Sequence, residues 1–304
     1  MLKNTVSSKQ GEQVFSDIIQ NYSFFCCLFI AKNSEKCYYI YNNNCKEHIM
    51  EKAWLKEYCN RIGIEEWERK ADSEFLKELQ SKHVLNVPYE NLDIIRQIPL
   101  SLECEDLYNK IVLRHRGGYC FELNALFSEL LRGLGYEVKS YFARFLRGEK
   151  ELPMRRHRVL KVECEDGVYI CDVGIGQIAP RFPLKLELGL SQEQNGETYR
   201  FEYDERLGYV LWELYKGEWR KYFSFFPEEQ IELDFLQPSF FCEKHPASVF
   251  NKTAIVAIKT EKGRKSINDR EYKEFIGEEP VLIKSDLSDG ELSQILKDEF
   301  GIFL

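Results

Sequence analysis

Between positions 54 and 134 apolar residues recur every three or four places, and beyond about 136 they cluster in short runs, so the chain changes texture near Gly135. Trp54, Leu55, Tyr58 and Ile62 form one helical stripe. Phe75, Leu76 and Leu79 form another, with Gly63 and the charged stretch 65–70 between them. The Val87-Pro88 step breaks this pattern, because proline lacks a backbone donor and pushes its predecessor into extended geometry. Ser101 offers a cap for a further helix carrying Leu107, Ile111 and Val112. Leu123, Leu126, Phe127, Leu130 and Leu134 predict the next, starting near Cys120 and ending around Gly133 and Gly135.

Strand-like runs follow at 138–146, 159–163, 168–173, 200–203, 209–215 and 219–223, at intervals suited to an antiparallel sheet or barrel. Asp166-Gly167 and Lys216-Gly217 read as hairpin turns. Past about 225 come a proline-marked connection, strands at 253–259 and 281–283, and a terminal helix over 289–300. The expected class is α+β, with a helical unit over 53–136, a β unit over 137–225 and a mixed unit over 226–304. Residues 1–52 read differently, with Ser, Asn and Lys around one apolar run at 24–31. Lys3 and Lys9 precede that run as in a signal peptide, but Asp17 interrupts the approach and no small-residue cleavage pattern follows. The run is far below the roughly 20 residues that cross a membrane. The preferred reading is a poorly ordered extension ahead of a natural start at Met50.

Composition narrows the function classes. The 304 residues are 44% hydrophobic, enough for a substantial core, and the net charge of −8 argues against nucleic acid and for a small-molecule partner. Ten cysteines follow no framework spacing and include no C-x-x-C pair, which leaves no zinc ribbon or thioredoxin motif and fits a reduced, cytoplasmic setting.

Candidate chemistry centres on Cys120. A cysteine at a helix start meets unpaired N–H groups and the positive end of the macrodipole, so its thiol is expected to ionise readily. The residue is equally compatible with a small buried side chain behind Gly117 and Gly118. A nucleophile needs a base and the base an orienting group; His157 opens a strand run and Asp172 closes one. An ordinary loop histidine and a strand-end turn former are the competing reading. If Asp166-Gly167 is a two-residue turn, Asp172 lies opposite Lys161 and His157 is four residues further along, about 13 Å away. That register requires a bend or a bulge to join them. His83 and His115 read as partly exposed or capping residues. Gly174-x-Gly176-x-x-Ala179 matches a dinucleotide fingerprint, but Pro180 and Pro183 deny it the helix that the fingerprint requires. His157 with Cys164 and Cys171 has no metal-ligand spacing, so no metal is expected. Six basic residues between Arg144 and Arg158 suit either a phosphate-rich ligand or a solvated loop, and Lys262-Gly263-Arg264-Lys265 reads as a solvated turn.

Arg116-Gly117-Gly118-x-Cys120-x-Glu122-x-Asn124 resembles the active-site signature of the arylamine N-acetyltransferases. His83 with Val87-Pro88-Tyr89-Glu90-Asn91-Leu92 is similar to a second family segment, with tyrosine where phenylalanine is usual. His157-Arg158 and Asp172-Val173-Gly174-Ile175-Gly176, with Pro180 and Pro183, are similar to two more, and the resemblance runs from about Trp54 to the C-terminus. It implies a helical bundle, a central antiparallel β-barrel and an α/β lid, with a cysteine-protease-like triad of Cys120, His157 and Asp172. It also implies acetyl-CoA as co-substrate, an arylamine or hydrazine acceptor, and a ping-pong cycle through an acetyl-Cys120 thioester. Arg116 and Glu90 become a structural ion pair. Tyr89 and Ile175 fall at the substrate pocket, and Arg155 and Arg156 are candidates for the CoA phosphates. Ile175 replaces the usual phenylalanine, which weakens stacking on an aromatic acceptor. An amide synthase with another acyl donor keeps the same triad; an inactive homologue acting as a binding scaffold is the reading of a different class.

Overall fold

The computed structural model describes residues 51–304. The apolar run at 24–31, the extension and the start at Met50 lie outside the described residues. The first described elements are helices: α1 (Lys52–Ile62), α2 (Ser73–Asn86), the two-residue strand β1 (Tyr89–Glu90), α3 (Leu92–Ile95), α4 (Cys104–Tyr108) and α5 (Cys120–Gly133). Their apolar stripes meet in one core containing Tyr58, Phe75, Leu79, Ile111, Phe127 and Leu130. The helix expected from Ser101 begins at Cys104 and runs on into a π-helical turn, Asn109–Leu113. His115 then adopts a left-handed φ of 53°, which reverses the chain into the Arg116 segment.

The barrel comprises β2 (Glu137–Phe145), β3 (His157–Cys164), β4 (Gly167–Cys171), β5 (Leu184–Lys185), β6 (Gln192–Gln194), β7 (Glu197–Asp204), β8 (Gly208–Tyr215) and β9 (Glu218–Gln230). These eight antiparallel strands run in the order β5-β4-β3-β2-β9-β8-β7-β6. The gap between the two edges is nearly closed by side-chain amides standing in for backbone. Gln192 exchanges hydrogen bonds of 2.8 and 2.9 Å with the main chain of Lys185, and Gln194 exchanges two with that of Phe182, at 2.5 and 3.2 Å. Strand alternation divides the residues between two cores. On β3 Leu160 and Val162 face the helices, while Val159 joins Tyr141, Phe201, Leu211 and Phe223 inside the barrel. Strand β9 continues beyond the expected limit at 225.

After a 3₁₀ turn (Glu232–Phe235), α6 (Leu236–Lys244) leads to β10 (Ile255–Lys259), β11 (Gly263–Asn268), β12 (Glu271–Ile276), β13 (Glu279–Lys284) and α7 (Asp289–Phe300). Strands β10 to β13 form a second antiparallel sheet completed by β1, so the Tyr89-Glu90 dipeptide ties this sheet to the helical unit. Helix α7 covers the sheet through Ile295, Leu296 and Phe300. The expected solvated turn at 262–265 is instead the start of β11: Arg264 lies over the Phe275 ring at 4.1 Å, and Lys265 pairs with Glu299 at 2.5 Å. Polar residues hid that strand, because its pairing rests on backbone bonds and stacked aliphatic stems rather than an apolar alternation.

Candidate active site

Cys120 is the first residue of α5, as its sequence position predicts. The turn before it is tight for lack of space rather than for an unusual φ. A Cβ on Gly117 would lie 2.0 Å from the Pro88 carbonyl oxygen, and one on Gly118 would lie 2.9 Å from Glu122 Cβ. The backbone packs that closely because Glu90 donates its N–H to the Gly118 carbonyl at 2.8 Å. Glu122, in the first helical turn, accepts the Tyr119 N–H at 3.1 Å and so fastens the residue before the cysteine.

The histidine and the aspartate meet without a bulge in their hairpin. The turn residues are Glu165 and Asp166, so Cys164 pairs with Gly167 and Leu160 with Cys171. Extending that register puts Asp172 opposite Val159, only two residues from His157, about 7 Å along the strand. The predicted four-residue offset, and the bend it required, are thereby corrected. Gly167, at φ 148°, opens β4 rather than sitting in the turn. His157 Nε2 lies 2.6 Å from Asp172 Oδ2. A carboxylate only accepts, so Nε2 carries the hydrogen and Nδ1 keeps its lone pair free.

Asp172 is held on several sides. Asn124, one helical turn after Cys120, donates through Nδ2 to Asp172 Oδ1 at 3.0 Å and to the Arg158 carbonyl at 2.8 Å, while its Oδ1 accepts the Val173 N–H. The Gly174 N–H donates to Asp172 Oδ1 at 2.8 Å, and Gln80 Oε1 accepts the Asp172 N–H. A Cβ on Gly174 would come within 2.7 Å of Cys120 Cα, so the helix start and the aspartate loop are in contact. Cys120 Sγ lies 3.9 Å from the carbonyl of Arg156, the residue before His157. Cys120, His157 and Asp172 are only 3%, 4% and 2% exposed, which keeps the cluster away from bulk water.

Burial changes the expectation for the thiol. It pushes Cys120 well above the ordinary thiol range; Cys242 and Asp172 push the same way, against the Phe121 N–H, which favours the anion. Cys242 is itself pushed up to about 11 by burial and is neutral near pH 7, so desolvation and the Asp172 and Glu122 carboxylates are the effects that operate there. The helix start alone does not make a thiolate, and the proton must pass to a base. His83, expected to be partly exposed, is fully buried against Tyr58 Oη at 2.9 Å, whereas His115 is exposed.

Behind the cysteine lies a buried chain of charges. Arg116 donates to Glu90 Oε1 at 2.7 and 2.9 Å through Nη2 and Nε, and to Asp93 Oδ1 at 2.9 Å. Lys110 Nζ bridges Asp93 Oδ2 at 2.7 Å and Glu122 Oε1 at 2.8 Å. The sequence pointed to the Glu90–Arg116 pair at one end of this chain and to Glu122 within the cysteine motif, but not to Asp93 and Lys110, which join them. The available signal was Lys110 on the same helical stripe as Leu107 and Ile111, where an unpaired charge is out of place.

Tyr89 packs against the cluster that contains Cys120 and Cys242, and Ile175 joins the helical and barrel cores. Arg155 and Arg156 make only long ion pairs of 3.7 Å, with Glu228 and Glu149. Others of the basic run are used internally. Arg158 is fully buried, donating to both Glu232 oxygens at 2.6 and 2.7 Å, and Arg147 pairs with Glu213. Arg144 donates to the Pro153 carbonyl.

A thiol that opens a helix on one layer, beside an imidazole–carboxylate pair set on a barrel, follows the plan of enzymes that carry an acyl group on sulfur. An N-acetyltransferase family model matches residues 72–304. The chain is 35% identical to an arylamine N-acetyltransferase of Mycobacterium tuberculosis over 202 residues, 64% of this chain and 71% of that protein. The arylamine N-acetyltransferase structure from Salmonella typhimurium superposes with a TM-score of 0.79 at 27% identity, covering 83% of this chain and 92% of the other. That of Mycobacterium marinum in complex with CoA gives 0.75 at 30%, covering 82% and 92%. The protein belongs to this family, the arylamine N-acetyltransferases.

Proposed function

We propose that the protein transfers acetyl from acetyl-CoA to arylamines or hydrazines by a ping-pong cycle, with Cys120 as the acyl carrier. The observation that carries the reading is the 2.6 Å His157–Asp172 pair, held by Asn124 from the helix that Cys120 begins. In the first half-reaction the thiol proton passes to His157 Nδ1, and sulfur attacks the acetyl carbonyl. The carbon–sulfur bond to CoA breaks, and CoA leaves with the proton from His157. In the second, the amine attacks the Cys120 thioester, its proton goes to His157, and the thiol is restored. Asp172 orients the ring and stabilises its cationic form. Burial suits this sequence, because the thiol stays protonated until the base removes its proton and water is kept from the thioester.

A M. marinum relative solved with CoA supports the donor, and relatives named as arylamine N-acetyltransferases support the acceptor. The Phe145 and Phe223 ring centres lie 6.4 and 6.3 Å from that of His157, and with Tyr89 and Ile175 they supply the apolar walls for an aromatic amine. Arg155 and Arg156 are assigned to the CoA phosphates, since their long ion pairs leave guanidinium donors for an anion. Arg116 and Glu90 support the cysteine loop. The helical unit 53–136 contributes the nucleophile, 137–225 the base and its carboxylate, and 226–304 serves as the lid. A cytoplasmic setting is assigned from the unpaired cysteines; among the described residues no helix is long and apolar enough to cross a membrane.

Initial rates over a grid of acetyl-CoA and arylamine concentrations test the cycle. Parallel double-reciprocal lines are expected, and intersecting lines that require both substrates at once would overturn it. A panel of acyl donors decides between this and an amide synthase, for which free acetyl-CoA turns over poorly.

A further inference from the structure

The chain Glu90–Arg116–Asp93–Lys110–Glu122 is buried throughout and has three acids for two bases. Its two cations are six residues apart, which on a continuous α-helix would separate them by about 240° of rotation. The π turn at 109–113 and the left-handed His115 cancel that separation and aim both at Asp93. The chain ends on Glu122, whose two oxygens accept from Lys110 Nζ and from the Tyr119 N–H, the pattern of an ionised carboxylate one turn into the cysteine's own helix. Buried ion pairs contribute little net stability compared with apolar packing, so their value lies in fixing one geometry.

We propose that Lys110 is a positioning residue for the acyl-transfer step: through Glu122 it holds the first turn of α5, and it offsets the negative charge beneath the Cys120 thiol. The inference rests on Cys120 being the acyl carrier. The groups facing that thiol are Glu122 on its own helix, the Arg156 carbonyl just ahead of His157, Asp172 from the end of β4, Cys242 from α6, and the Tyr89 and Tyr119 side chains. Among these, Lys110 acts directly on Glu122.

The test is the pH profile of Cys120 alkylation by iodoacetamide in the full chain, run beside single-turnover acetylation. Lys110→Met leaves Glu122 without its cation, while Asp93 keeps Arg116, so the alkylation midpoint should rise by roughly half a unit or more. Glu122→Gln removes a negative charge, so the midpoint should fall. Lys110→Arg, which keeps the charge, should stay near the wild type. The acetylation rate in Lys110→Met should drop on the order of tenfold or more, with the KM for acetyl-CoA little changed. Should Lys110→Met fail to fold, Glu122→Gln and Lys110→Arg carry the test alone. Shifts of one sign in all variants, or an unshifted Glu122→Gln, would overturn the proposal and indicate mere structural damage. A wild-type protein that forms no acyl-enzyme would instead sink the underlying catalytic reading.

Discussion

Asp172 is fixed by groups that periodicity does not reveal. Asn124 was legible as part of a motif, but not as the clamp joining helix and strand end, because that role depends on contacts across the fold. Removing it in Asn124→Ala leaves the Val173 N–H without its acceptor and takes one of two donors from Asp172 Oδ1, which keeps the Gly174 N–H, at a cost of about 1–3 kcal/mol. Acetylation should fall on the order of ten- to a hundredfold as the imidazole loses its orientation, which urea titration and steady-state rates would measure together. Cys120, His157 and Asp172 stand out in the chain as candidates, but the state of the thiol does not. The local argument from the helix start opposes a larger desolvation that only the packed fold supplies. His83 carries the same lesson. Burial, with Arg61 adding, pushes its imidazole down to about 3, whereas the unfolded chain binds a proton near pH 6.5. Its contribution is therefore complete above about 6.5 and is lost as pH falls toward about 3, roughly 2 kcal/mol by pH 5. Denaturation midpoints at pH 7 and 5 should show this loss, and His83→Gln should flatten the dependence.

For the elements, existence was easier to read than register. The apolar periodicity of α5 and the terminal helix over 289–300 predicted both closely. Asp166-Gly167 is a strong turn signal and predicts the β3–β4 turn one residue late, since the chain turns at Glu165-Asp166 instead. That step moved Asp172 by two residues relative to His157 and separated a pair that in fact touches. The apolar stripe of Leu107, Ile111 and Val112 marks a helix but not its π turn, and β11 has too few apolar residues to show an alternation. Gly174 marks where helix and loop meet. In Gly174→Ala the new methyl group would press on Asn124 Nδ2 at 2.6 Å, which its two hydrogen bonds hold in place, and on the Cys120 backbone at 2.7 Å. The variant should lose on the order of a hundredfold in acetylation while its stability falls by about 1–3 kcal/mol, compared by single-turnover rates and chemical denaturation. Full activity in that variant would contradict the packing described.

Across the whole molecule, the site depends on three layers being held in one arrangement. The helical unit brings the thiol, the barrel brings the imidazole and the carboxylate, and β1 links the helical unit to the second sheet. Lys259, on that sheet, donates to both Glu197 oxygens on the barrel and to the Ala179 carbonyl, which joins the remaining pair of layers. The order of textures along the chain is visible in the sequence; these ties are not, because each joins residues far apart in sequence through a few polar or backbone contacts. In the proposed cycle this arrangement makes Cys120 an acyl carrier. Mixing the intact protein with stoichiometric acetyl-CoA, without any amine, and mapping the product by peptide mass spectrometry tests that role. One acetyl group on the Cys120 peptide, discharged when an arylamine is added and absent in Cys120→Ala, is the predicted result. A protein that turns over acetyl-CoA and amine yet never bears acetyl on Cys120 would contradict it.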